Sequence, residues 1–221
     1  VAAVTHAELT DSLNDLPEAL QRGSVWIVTG GARGVTAACA QQLAARYGVT
    51  MVLVGSTQPE QINPSWLSLD EAGLKKLKGE TMVAAKKRGE DPRIGWGRIE
   101  KSLEIHRSLA MLAADGADAH YEVCDLSNAV QVQGLVDCVT QKYGSVRGLI
   151  HGAGYEASCR FSKKTPEGLA ATLGPKCDGL AHLLVATENS PLSQLVAFGS
   201  TSGRFGGHGQ ADYSAANDLL A

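Results

Sequence analysis

Three side chains in "GSTSGRFGGHGQADYSAAND" (residues 199–218) are of types that move protons or hold developing charge: the hydroxyl of Ser200, the phenol of Tyr213 and the amide of Asn217. Tyr213 and Asn217 are i and i+4, so on a helix they share a face one turn apart. A tyrosine acting as an acid near neutral pH needs a cation beside it, because the free phenol ionises only near pH ~10. The helix offers an amide where that cation is expected, so the charge has to come from another element. Taken singly, the same residues also read as a strand-end cap (Ser200), half-buried core (Tyr213) and a polar helix face (Asn217).

A second set of residues suits phosphate. "VWIVTGGARGVT" places Gly30, Gly31 and Gly34 between an apolar run and a helix-forming stretch, with Arg33 inside the turn. Glycine lets a backbone approach a pyrophosphate, and a helix N-terminus presents free N–H groups and partial positive charge. Between a strand and a helix this pattern marks dinucleotide binding, the plainer reading being a tight structural turn. Thr36 stands two residues past Gly34, where such a motif often has a third glycine, so helix and strand are expected to pack slightly further apart. An NAD site usually carries an acid at the end of its second strand for the ribose 2′-hydroxyl. Here "LVGSTQ" offers Gly55, Ser56 and Thr57 and no carboxylate. A 2′-phosphate would meet hydroxyls and the Arg33 guanidinium, which favours NADPH; otherwise Arg33 is an ordinary exposed arginine. Asp125 in "CDL" can accept a hydrogen bond from an adenine amine or cap the following turn. "HGAG" (151–154) is small enough for a flat ring to lie against its backbone.

The elements that must position these residues are legible in the apolar pattern. Runs at 24–30, 49–55, 118–126, 146–154 and 192–200 read as buried strands. Helices are expected over 36–48, 98–116, 128–144 and 165–189, the last bent or broken at Gly174-Pro175, and Tyr213 opens a final one. Short apolar strands alternating with helices require a doubly wound, Rossmann-like α/β fold, a parallel sheet covered on both faces with right-handed crossovers. Residues 56–97 interrupt this rhythm as an insertion after the second strand; a structureless loop of that length is uncommon, so one or two surface helices should fill it. Its Lys75, Lys76, Lys78, Lys86, Lys87 and Arg88 read as a solvated face or as a docking surface for an acidic partner.

A chain of 221 residues, 44% hydrophobic, can bury one full core. We divide it into a lead-in (1–22), with "DLPEALQRG" a short helix ended by Gly23, and a nucleotide-binding domain (23–221). A net charge of −3 gives no electrostatic case for nucleic acid, and no apolar run reaches the roughly 18 to 20 residues of a membrane span. The five cysteines are scattered without metal-ligand spacing, which suits reduced core thiols in a cytoplasmic protein, and the six dispersed histidines suggest no metal site.

Together, "VTGGARGVT", "LIHGAG", "GPKCDGLAHLL" and "GSTSGRFGGHGQADYSAAND" resemble the ketoreductase domain of the short-chain dehydrogenase/reductase superfamily, in the form found in iterative type I polyketide and polyunsaturated fatty acid synthases. The resemblance spans residues 24–221, insertion included, and it implies the missing cation: Lys176, from the preceding helix, would lower the Tyr213 pKa and hold the nicotinamide ribose. Tyr213 would protonate the ketone oxygen, Ser200 would hydrogen-bond it, and Asn217 would orient Lys176 or a relaying water. The implied NADPH contacts are Thr29, Gly30, Gly31, Arg33, Gly34 and Val35 in the first turn, and Ser56 after the second strand. Asp125 and Leu126 follow the third strand, and Gly152, Ala153 and Gly154 the fourth. The implied reaction reduces a β-ketoacyl thioester to the β-hydroxyacyl thioester. Its substrate would ride on the phosphopantetheine of an acyl carrier protein, among the neighbouring domains of a cytoplasmic synthase.

The chain departs from that family at three places. Ser56 stands where an arginine is frequent, "YEASC" replaces a Leu-Asp-Asp stretch, and Phe205 occupies a position where tryptophan is common in ketoreductases of one stereochemical type. Two rivals remain at this level: a stand-alone dehydrogenase acting on a small ketone or alcohol, and a non-catalytic structural or docking domain. The chain opens on Val1 and stops at Ala221, a few residues into the expected last helix, which suggests an excerpt lacking its C-terminal part. Such a fragment is expected to fold marginally or self-associate, with weak NADPH binding and almost no turnover.

Overall fold

In the computed structural model, which describes residues 17–221, "VWIVT" forms strand β1 (Val25–Thr29), buried at every residue. β-branched and aromatic side chains fit a pleated surface packed on both faces, and β1 occupies the middle of the sheet for that reason. It pairs in parallel with β2 (Thr50–Gly55) and β4 (Val146–His151). β3 (Ala119–Val123) adds outside β2 and β5 (Gln194–Ala197) outside β4, giving the order β3-β2-β1-β4-β5. The chain works outward from β1 to β3 and then returns to the other side of β1. A crevice therefore opens past the carboxyl ends of β1 and β4, where sheets of this kind bind ligands.

Parallel neighbours need crossovers, and helices supply them. Strand side chains alternate between the faces: Val25 and Ile27 pack with α4 (Ala129–Tyr143) and α6 (Gly179–Ala186), Trp26 and Val28 with α1 (Gly34–Tyr47) and α3 (Pro92–Ala114). Of the lead-in, the described part includes a 3-10 turn (Glu18–Leu20) whose buried Ala19 accepts a hydrogen bond from the Trp26 indole.

The insertion has a small core of its own. α2 (Glu71–Lys87), capped by Asp70, packs against α3, capped by Asp91 with Pro92 in its first turn. Leu77, Trp96 and Leu103 are buried between them. The Arg107 guanidinium donates to the carbonyls of Trp66, Leu67 and Leu69, and Ser108 Oγ donates to the Ala32 carbonyl at 2.7 Å, which ties α3 to the glycine turn.

Several expectations need correction. The helix expected over 98–116 begins at Pro92, so the last residues of the supposed insertion are its first turns. The helix expected over 165–189 is α5 (Pro166–Leu173), a π-turn (Gly174–Asp178) and α6; Pro175 lacks an N–H, which leaves the α-helical ladder incomplete there. Tyr213 lies in the first turn of α8 (Ala211–Leu219) rather than opening it, and a short helix, α7 (Thr201–Phe205), precedes it. Among the cysteines only Cys124 is buried; Cys39 is exposed on α1 and the rest are intermediate, so the thiols are not uniformly core residues.

Candidate active site

The phosphate end is built by two turns in contact. Gly30 has φ +67°, and a Cβ there would lie 2.8 Å from the Gly152 carbonyl oxygen; no side chain fits between the turn after β1 and the turn after β4. Thr36 occupies the expected third-glycine place, and room for it comes from Gly152, whose Cβ would strike Thr36 Oγ1 at 2.2 Å. Thr36 therefore packs against the turn after β4, where a glycine leaves room for it. No side chain caps α1, whereas Asp70, Asp91 and Asn128 cap α2, α3 and α4. Space beyond Gly34 is open, and Val35 is exposed beside it.

A cleft of 380 Å³ runs from this turn across the sheet ends. Of the residues singled out above, Gly30, Arg33, Ser56, Asp125, Leu126, Ala153 and Gly154 line it. Thr29, Gly31, Gly34, Val35 and Gly152 are not among its lining residues. Asp125 Oδ1 accepts from the Ser127 N–H at 3.0 Å, so its carboxylate caps the turn while facing the cleft. α3 contributes Lys101 and Glu104, which the sequence reading missed. Glu104 Oε2 lies 3.6 Å from Arg33, so α3 brings a carboxylate to this end of the cleft as a partner of the arginine. Tyr121 also lines this end; its hydroxyl donates to the Thr57 carbonyl, and burial pushes its phenol pKa up.

At the other end, Lys176 sits in the π-turn, 4% exposed. Its ammonium donates to the Phe198 carbonyl at 2.8 Å and lies 6.0 Å from the centroid of the Tyr213 ring. It is 3.8 Å from where a Gly154 Cβ would be, so the lysine and the cleft meet at Gly154. Burial pulls the Lys176 pKa below the usual lysine value. Asn217 is buried; its Nδ2 donates to the Tyr213 carbonyl at 2.7 Å, and its Oδ1 has no partner. The amide thus holds the Tyr213 backbone rather than the Lys176 ammonium, and one acceptor atom remains unused. Ser200 caps α7: its Oγ lies 3.2 Å from the Ser202 N–H and 3.0 Å from the Ser202 hydroxyl.

The loop before α8 is strapped to the segment after β4. Lys164 Nζ lies 2.6 Å from Asp212 Oδ1, the side chains 13% and 6% exposed, and the same oxygen accepts the Tyr213 N–H at 2.8 Å. Gln210 donates to Glu156, and the Cys159 N–H to the Gly209 carbonyl. Among the described residues, no cluster of three His, Cys, Asp or Glu is placed to hold a metal, and no helix is long and apolar enough to cross a membrane.

Comparison with known proteins agrees with the fold. The family model described as "KR domain" matches residues 24–221. The chain is 30% identical over 212 residues to a polyunsaturated fatty acid synthase polypeptide of Thraustochytrium sp., covering 91% of the chain and 8% of that protein. It is 35% identical over 124 residues to the polyketide synthase PksN of Bacillus subtilis, covering 56% of the chain and 2% of that protein. Among solved structures, an N-terminal ketoreductase from the macrolactin assembly line superposes with TM-score 0.69 at 25% identity, over 90% of this chain and 33% of that one.

Proposed function

The chain belongs to the KR domain family of the short-chain dehydrogenase/reductase oxidoreductases, and from that premise we propose that it reduces a β-ketoacyl thioester to the β-hydroxyacyl thioester with NADPH. The thioester would be carried on the phosphopantetheine of an acyl carrier protein, within a polyketide or fatty acid synthase. The observation that carries this reading is the buried Lys176 ammonium, held 6.0 Å from the Tyr213 ring where the cleft ends at Gly154.

The residues fit a dinucleotide on physical grounds. The uncapped α1 N-terminus and the open space at Gly34 suit a pyrophosphate. Arg33 and Lys101 outnumber Glu104 where a 2′-phosphate would lie. Bound there, NADPH would supply the hydride. The chain's own part is proton transfer and charge stabilisation. The ammonium of Lys176, held over the Tyr213 ring, can stabilise the negative charge that develops as the Tyr213 proton passes to the ketone oxygen. Ser200 Oγ acts as acceptor toward Ser202, which leaves its own hydrogen to donate to that same oxygen. Asn217 Oδ1 can accept from a relaying water while Nδ2 keeps the Tyr213 turn in place.

The test is kinetic. Tyr213→Phe should lower turnover about a hundredfold or more while NADPH affinity stays nearly intact, and Lys176→Ala should damage both. Normal turnover of a β-ketoacyl thioester by Lys176→Ala in the full-length protein would overturn the assignment.

The carrier protein is a partner of the same proposal. Leu77 and Ala85 anchor α2 inward, so Lys75, Lys76, Lys78, Lys86 and Lys87 face solvent; Arg88 is already paired with Glu90. Reversing several of these lysine charges should raise KM for carrier-bound substrate and not for a small thioester mimic. Equal effects on the two substrates would make the lysines a solvated face only.

A further inference from the structure

The buried, titratable His151 takes no part in the chemistry above. His151 ends β4, is fully buried, and has both ring nitrogens engaged. Nδ1 is 2.9 Å from Thr29 Oγ1, and Nε2 is 2.8 Å from the carbonyl oxygen of Lys176. A carbonyl only accepts, so Nε2 carries the hydrogen, and Nδ1 of the neutral ring takes the hydrogen of the Thr29 hydroxyl. Thr29 Oγ1 accepts in turn from the Ala153 N–H at 3.4 Å. The relay from Ala153 through Thr29 and His151 to Lys176 thus has one polarity and one tautomer.

Its far end explains its use. The Lys176 carbonyl lies inside the π-turn, where the spacing of the helical ladder changes, and it accepts a hydrogen bond from a donor outside the helix. His151 is that donor, and it stands on the strand beside β1, which leads into the glycine turn. We propose that His151 is a positioning residue: by holding the Lys176 carbonyl as the neutral Nε2–H tautomer, it fixes the π-turn that aims the Lys176 ammonium at Tyr213. This rests on the reading that Lys176 and Tyr213 act together.

The surroundings favour the neutral ring. Thr29 faces it from β1, and Gly179 from α6, 3.6 Å from the ring carbon to the place of a Cβ; the charged group acting on it is the Lys176 ammonium. Burial presses the imidazole pKa below its usual value, and the ammonium adds to this against the hydrogen bond to the carbonyl. Protonation would set a second positive charge beside Lys176 and turn Nδ1 from acceptor to donor.

The experiment compares H151L and H151Q in the full-length protein. Glutamine offers an amide donor and an acceptor without titrating; leucine fills space and offers neither. H151L should turn over at least about tenfold more slowly, with the basic limb of kcat/KM displaced as the Lys176 ammonium loses its place beside Tyr213. H151Q should stay within about threefold of wild type with its limb in place. Apart from turnover, acetic anhydride should label Lys176 of the cofactor-free protein severalfold faster in H151L than in wild type or H151Q, read by mass spectrometry. A folded H151L with unchanged limb and labelling would overturn the proposal. So would an H151Q as impaired as H151L with no limb shift, which means packing alone. Should H151L not fold, nitrogen NMR of the cofactor-free wild type decides: the Nε2–H tautomer supports the proposal and the Nδ1–H tautomer overturns it. Undiminished turnover in Lys176→Ala would instead sink the parent reading, and the labelling and NMR results would still judge His151.

Discussion

At the scale of single residues, cofactor choice is a contest among three charges. Arg33 is paired with Glu104 across 3.6 Å, with the side chains 59% and 44% exposed, so the pair is a weak one that an incoming anion can replace. Lys101, one helical turn from Glu104 on α3, adds a second cation to the cleft. NADPH should therefore bind about tenfold or more tighter than NADH, the worth of one charge-assisted contact. Lys101→Ala should weaken NADPH and leave NADH alone, and Glu104→Gln should tighten NADPH. Fluorescence titration measures all of these, and equal dissociation constants for the two cofactors in wild type would refute the ranking. Arg33 and Ser56 are legible in the sequence because they sit inside a local motif. Lys101 and Glu104 are not, because their place depends on how α3 returns from the insertion, fixed by contacts such as Ser108 to the Ala32 carbonyl. His151 lies within the quoted "HGAG", but nothing in that motif reveals that its partner is a carbonyl 25 residues later.

At the scale of elements, the Tyr213 helix is held from outside. α8 has no side-chain cap at Gln210; Asp212 accepts the Tyr213 N–H and the Lys164 ammonium instead. Burial alone would raise the Asp212 pKa, but Lys164 and the Tyr213 N–H outweigh it and the net shift is downward. The hydrogen bond to Asp212 raises that of Lys164. A lowered carboxylate pKa gives stability that is present above the unfolded value near ~3.9 and lost as pH falls through the folded value. A raised lysine pKa gives stability present below ~10.4 and lost as pH rises through the folded value. The strap is therefore intact across the neutral range. Asp212→Asn should lower the thermal midpoint at neutral pH, and the gap to wild type should close on acidification below about pH 4. A gap that stays constant to lower pH would show that the charge of Asp212 contributes nothing. The five strands and the break at Gly174-Pro175 are readable from apolar runs and a proline. α7 is not, since "TSGRF" is short and glycine-bearing and depends on the Ser200 cap and on packing against α8. The strap segment "YEASCRFSKK" has no periodicity to read, because its ties to the α8 loop are made one residue at a time.

At the scale of the whole molecule, the sheet is unequally protected. β1, β2 and β4 are covered on both faces, and helices seal two cores around them. β5 pairs with β4 on one side only, and its Leu195 and Val196 are 44% and 43% exposed. An apolar edge strand with free N–H and C=O groups is a template for another strand. The chain spans 8% of the length of its synthase relative and 33% of the ketoreductase structure it superposes on, so what meets β5 in a full-length protein is a separate matter from what the 221 residues do alone. Taken alone, the chain should associate through β5 in a concentration-dependent way, visible by sedimentation velocity. A lysine on this strand (Val196→Lys) should return it to monomer, since charge on an edge strand opposes pairing. The substitution lies outside the glycine turn and the α3 face, so NADPH affinity should be unchanged. A chain that sediments as a monomer at all concentrations tested would mean that the β5 edge does not drive association. If Val196→Lys associates as wild type does, contact runs through another surface, and the exposed Phe161 and Phe205 become the positions to substitute next.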